Sequence, residues 1–116
     1  MSNFTNANQP INHGLSHGHL EIIKKILKPW AHQINRVALF GSRATGKYRD
    51  NSDIDLVLYS NADDPLDTKI MDRIWTLFNE SSLPYKVDIN AYELITYPPF
   101  KHHIDEVNRV LFVGVT

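Results

Sequence analysis

The stretch Gly41-Ser42-Arg43-Ala44-Thr45-Gly46-Lys47-Tyr48-Arg49-Asp50-Asn51-Ser52-Asp53-Ile54-Asp55-Leu56 decides the reading of this chain. It joins two apolar runs, Val37 to Phe40 and Leu56 to Tyr59. The first run is short and stops at a glycine, which predicts a strand over residues 36–40. The second predicts a strand over residues 54–59. It is apolar nearly throughout, as a strand covered on both faces is. The polar connection between them therefore lies inside a sheet and asks for a chemical reason.

Outward from this stretch, Asn61 to Asp64 reads as a polar turn. Asp64-Pro65 fits a cap followed by proline at the first helical position. Leu66, Ile70, Ile74, Leu77 and Phe78 continue as a helical stripe, widened by Met71 and Trp75. Residues 85–91 predict a third strand, with Val87 and Ile89 alternating against Lys86, Asp88 and Asn90. A last helix is expected from Pro98 or Pro99 through Phe100, Ile104 and Val107. Residues 110–113 fit an edge strand or a docked tail. On the amino-terminal side, Ser16 reads as a helix cap, with Leu15 and Leu20 as a hydrophobic staple. Leu20, Ile23, Ile26 and Leu27 give that helix its apolar face, and Pro29 ends it. Residues 1–14, polar and rich in Asn, read as a mobile tail. The order helix, strand, strand, helix, strand, helix implies an α/β fold. A small sheet carries flanking helices in one domain over residues 15–116.

The 116 residues suit one compact domain that gains stability from a partner. They are 42% apolar with a formal net charge of −1, which predicts no general affinity for nucleic acid or acidic lipid. Cysteine is absent, so disulfides and thiolate zinc sites are excluded. No apolar run approaches the roughly 20 residues of a membrane-spanning helix. The first residues lack the basic-then-apolar order of a secretion signal, so the cytoplasm is the expected location.

Asp53 and Asp55 stand two apart at the start of a strand, so both carboxylates project from one face. Two such charges repel unless a cation lies between them. Mg²⁺ prefers oxygen ligands and is held by one or two carboxylates plus substrate phosphates. Gly41-Ser42 follows a strand and precedes a polar helical turn. Glycine lets a backbone approach a phosphate, and the serine hydroxyl adds a donor. Arg43, Lys47 and Arg49 add positive charge nearby. If the two strands are antiparallel, Gly41-Ser42 and Asp53/Asp55 meet at one end of the sheet. A phosphate side and a metal side in one place suit phosphoryl or nucleotidyl transfer. A second metal needs another carboxylate, and Asp88 in the third strand is the candidate. Taken singly, each feature also fits a solvated turn or an edge-strand aspartate kept for solubility.

Together, Gly41-Ser42-Arg43-Ala44, Gly46, Ser52-Asp53-Ile54-Asp55-Leu56 and Val87-Asp88-Ile89 resemble the minimal nucleotidyltransferases of the polymerase-beta superfamily. Thr45 departs from the arginine many members carry there. The resemblance implies a polymerase-beta-like fold with a small mixed sheet. It implies two Mg²⁺ ions and transfer of a nucleoside monophosphate, AMP from ATP or another NTP, to a hydroxyl. On the matching positions, Asp53 and Asp55 would hold both metals, and Asp88 would complete the second site and help activate the acceptor. Gly41 and Ser42 would hold the triphosphate, with Arg43 assisting. It further implies a small all-helical HEPN partner in a hetero-oligomer. The partner would be a toxin and this chain its antitoxin, adding AMP to a tyrosine of that toxin.

Two other readings compete: an antitoxin that neutralises its partner by contact alone, and a nucleotidyltransferase acting on a small, antibiotic-type acceptor. The carboxylate trio argues against the first. The shortness of the chain beyond the core argues against the second. Of the six histidines, neither His17/His19 nor His102/His103 has the i, i+4 spacing of a helical metal pair, so they read as solvated. Trp30 and Trp75 read as packing residues, Tyr48 as a residue at the rim or lining of the site, and Lys24, Lys25 and Lys28 as a solvated helix face.

Overall fold

The computed structural model describes residues 3–7 and 12–115, with only the backbone of residues 3 and 115. In chain order the elements are β1 (Asn3–Asn6), α1 (His17–Leu27), β2 (Ile34–Phe40), α2 (Ser42–Thr45), β3 (Ile54–Ser60), α3 (Thr68–Asn79), β4 (Val87–Ala91), α4 (Pro98–Val107) and β5 (Arg109–Val115). The five strands form one mixed sheet in the order β1-β5-β2-β3-β4. The pair β3/β4 is parallel, and the other three pairs are antiparallel.

The apolar strands are covered on both faces. Val37, Leu39, Ile54, Leu56 and Leu58 pack with Ile23 and Leu27 of α1 and with Ile74 and Phe78 of α3. Ala38, Phe40, Val57 and Tyr59 point the other way and meet Ile104 of α4, flanked by Phe100 and Val107. Each fully buried aliphatic side chain contributes about 1.5–3 kcal/mol, so the central strands β2 and β3 dominate the stability of the fold. Among the described residues no helix is long and apolar enough to cross a membrane.

Ser16 caps α1 as expected. Its hydroxyl accepts from the His19 amide at 3.1 Å, and His19 Nδ1 accepts from the Ser16 amide at 3.1 Å. Histidine thus fills the place glutamate takes in the usual capping box. His19 also sets its ring edge-on to Tyr85, with centroids 5.3 Å apart. It is a structural side chain, not the solvated one the spacing predicts.

Four other expectations change. The tail reading gives way over Asn3–Asn6, which pair with β5 as an edge strand. Phe4 is the reason: it is buried and its ring packs 6.2 Å from Phe112. Residues 8–11 of the expected tail lie outside the described residues. β5 consequently lies inside the sheet, between β1 and β2, and is not an edge. The cap of α3 is Asp67, whose Oδ1 accepts from the Ile70 amide at 2.8 Å. Asp64 instead receives Gln33 Nε2 at 3.1 Å, and Leu66 buries itself in the core before the helix begins. Trp75 is 50% exposed and does not pack into the core, whereas Trp30 does pack against it.

Candidate active site

The site stands where β2 ends and β3 and β4 begin. Antiparallel register pairs Phe40 with Asp55, and parallel register pairs Asp55 with Asp88. Laterally paired residues share a face, so both carboxylates lie on the α4 side, with Asp53 two residues before Asp55. Gly41 turns the chain out of β2 at φ 72°, a left-handed conformation that disfavours side chains, and caps α2. A Cβ on Gly41 would collide with the Asp55 carboxylate. The Gly41-Ser42 turn therefore rests directly on the acidic cluster. The two halves of the connecting segment come together as the antiparallel pairing requires.

The cluster is electrostatically strained. Burial pushes the Asp55 carboxyl up to about 6, helped by the charges of Asp88 and Asp53 and by a hydrogen bond with the Asp88 side chain. The Lys86 ammonium works weakly against this rise. Crowded carboxylates of this kind favour a positive charge among them. The donor set fits Mg²⁺: hard oxygen ligands, repelling each other, next to a backbone turn open to phosphate. Among the described residues no three acidic or imidazole groups are gathered closely enough to cage an ion unaided.

Arg43 sits differently from its expected place on the phosphate side. Its side chain is 1% exposed and turned into the protein. Nε and Nη2 donate to the Ser52 carbonyl at 3.2 and 2.9 Å, and Nη1 donates to the His13 carbonyl at 2.9 Å. The guanidinium lies 4.3 Å from the centre of the Tyr85 ring and 5.2 Å from that of Tyr48. Sequence reasoning missed His13, Gly14 and Tyr85. Gly14, at φ 75°, marks where the chain passes too close to Tyr48 and Arg43 for any side chain. Tyr48 reaches this segment too, its hydroxyl donating to Asn12 Oδ1 at 2.7 Å.

Two concavities lie beside the sheet. One, of about 370 Å³, is lined by Met71, Ile89, Asn90, Leu94, Tyr97 and Phe100 at the β4 edge of the sheet, between α3 and α4. Leu94 and Tyr97 are exposed there. The other, of about 660 Å³, lies at the opposite end of β2 and β3 beside Arg36, Tyr59, Ser60 and Glu93, away from the carboxylates.

Residues 21–114 match the family described as "Polymerase beta, Nucleotidyltransferase". A curated relative, "Probable protein adenylyltransferase MntA" of Haemophilus influenzae, is 41% identical over 70 residues. That match covers 60% of this chain and 59% of the relative, so the chain spans about three fifths of its length. Two solved structures share the fold. One, described as "Crystal structure of the toxin-antitoxin with AMP-PNP", superposes with a TM-score of 0.62 at 24% identity, over 78% of this chain and 70% of the other. The second, a mutant of the toxin-antitoxin MntA-HpeT, gives a TM-score of 0.60 at 22% identity with the same coverage.

Proposed function

Because the chain belongs to the polymerase beta nucleotidyltransferase family, we propose that it is a Mg²⁺-dependent nucleotidyltransferase that moves AMP from ATP to a protein hydroxyl. The observation that carries this reading is the contact of the Gly41 turn with Asp55, in register with Asp88. Gly41 and Ser42 present amides and a hydroxyl to the triphosphate. Asp53 and Asp55 would hold Mg²⁺, which would supply charge neutralisation along the phosphates, and Asp88 would complete the set. The acceptor oxygen attacks the α-phosphorus, its bond to pyrophosphate breaks, and the acceptor proton passes to Asp88.

The acceptor is proposed to be a tyrosine of a small helical HEPN toxin, with this chain as its cytoplasmic antitoxin. The relatives described as a protein adenylyltransferase and as toxin–antitoxin pairs support this reading. So does the concavity at the β4 edge with exposed Leu94 and Tyr97, an apolar surface suited to a protein partner. The test incubates both proteins with α-labelled ATP and Mg²⁺. Label should enter the toxin with wild type, and Asp53→Asn or Asp55→Asn should lower transfer at least about 10²-fold. Undiminished transfer by both variants would refute the mechanism. Full neutralisation of the toxin by both variants without transfer would favour action by contact alone.

A further inference from the structure

Arg43 is buried, always charged, and has no acidic partner among the described ion pairs. A leucine or methionine would fill the space without desolvating a cation, which is costly when no countercharge repays it. What the guanidinium touches gives the reason. It grows from α2, directly after Gly41-Ser42. Two of its nitrogens hold the Ser52 carbonyl, whose peptide bond leads into Asp53. Its face covers Tyr85, two residues before β4 begins and three before Asp88. Its third nitrogen holds the His13 carbonyl, so the segment Asn12-His13-Gly14 straps the assembly from outside. One rigid fork thus ties the phosphate-side turn to the segments that lead into both acidic strands.

We infer that Arg43 is a positioning residue for nucleotidyl transfer, setting the spacing between the Gly41-Ser42 turn and the carboxylates Asp53, Asp55 and Asp88. It touches neither nucleotide nor metal. Lysine cannot replace it, because a single ammonium cannot span the Ser52 and His13 carbonyls in one plane. This inference rests on the proposed function and predicts a specific defect. Each half-site keeps its own ligand, but the two no longer act on one substrate together.

The experiment measures binding of α,β-methylene ATP by calorimetry, with and without Mg²⁺, alongside kcat and KM for ATP. Wild type should bind the analogue more tightly with Mg²⁺. In Arg43→Met and Arg43→Lys, metal-free binding should stay within about twofold of wild type, the Mg²⁺ enhancement should be lost, and kcat should fall on the order of 10²-fold. Gly14→Ala, which pushes the strap off Tyr48 and Arg43 while leaving every site residue in place, should show the same pattern more weakly. A drop in metal-free binding would make Arg43 a direct phosphate ligand and overturn the inference. So would an intact Mg²⁺ enhancement, or loss of folded structure in all three variants, which would leave Arg43 a core residue only. If wild type itself shows no Mg²⁺ enhancement, the proposed function fails instead.

Discussion

Replacing Asp55 with asparagine should make the metal-free protein more stable at neutral pH while abolishing the proposed transfer. The ionised carboxylate is half-buried and faces Asp88 and Asp53, so the amide removes repulsion and desolvation together. The folded Asp55 group titrates at about 6, above its ordinary 3.8. Its contribution to stability is complete below 3.8 and is lost as pH rises through about 6. His13 runs the other way. Burial and the Arg43 charge hold it below 6.5, so its contribution is complete above 6.5 and lost as pH falls through the lowered value. Urea melts of wild type and Asp55→Asn between pH 4 and 8 check this. The stability gap should open between about pH 4 and 6 and stay open above, with Asp55→Asn the more stable; a constant gap would refute it. The acidic trio was legible in the sequence because strand side chains repeat every two residues, which fixed the face of Asp53 and Asp55. The inward turn of Arg43 was not. Its partner His13 lies thirty residues away, and no local pattern announces a carbonyl acceptor.

Among the elements, the four-residue α2 is held by its ends and not by length. Gly41→Ala combines an unfavourable φ with a collision against Asp55. It should cost about 1–3 kcal/mol of stability, read in denaturant melts, and should weaken nucleotide binding in the same variant. α3 offers a cleaner test of capping. Asp67→Ala should cost about 1 kcal/mol, whereas Asp64→Ala should cost less because Asp64 holds Gln33 from a half-exposed position. Equal losses would contradict that assignment. The sequence placed this helix but misplaced its start. Asp64-Pro65 satisfies the rule for a cap, yet burying Leu66 keeps the chain extended until Asp67. Tertiary packing outweighs the local signal there. In the same way Asp88 was placed correctly in its strand, while the strand begins at Val87 and not at Tyr85, whose ring is drawn onto Arg43.

At the scale of the molecule, the central strands were readable because both of their faces are apolar, and the order of the strands was not. A polar, Asn-rich amino terminus hides one informative residue, Phe4, whose burial against Phe112 converts a tail into β1 and moves β5 inside the sheet. Phe4→Ala should destabilise the fold by about 3 kcal/mol, and hydrogen exchange should speed up in β5 more than in β3. Uniform acceleration across the sheet would show that β1 does not shield β5 selectively. The pairing of β1 with β5 has a further consequence for synthesis. The ribosome delivers β1 before the other described strands and β5 after them, and the described pairing joins these two strands at the margin of the sheet. Strands β2, β3 and β4, with Gly41 directly after β2 and Asp55 and Asp88 within β3 and β4, have all emerged before that closure becomes available. Residues 3–6 of a nascent chain must therefore wait for β5 before they find their place, while β2, β3 and β4 can assemble ahead of them.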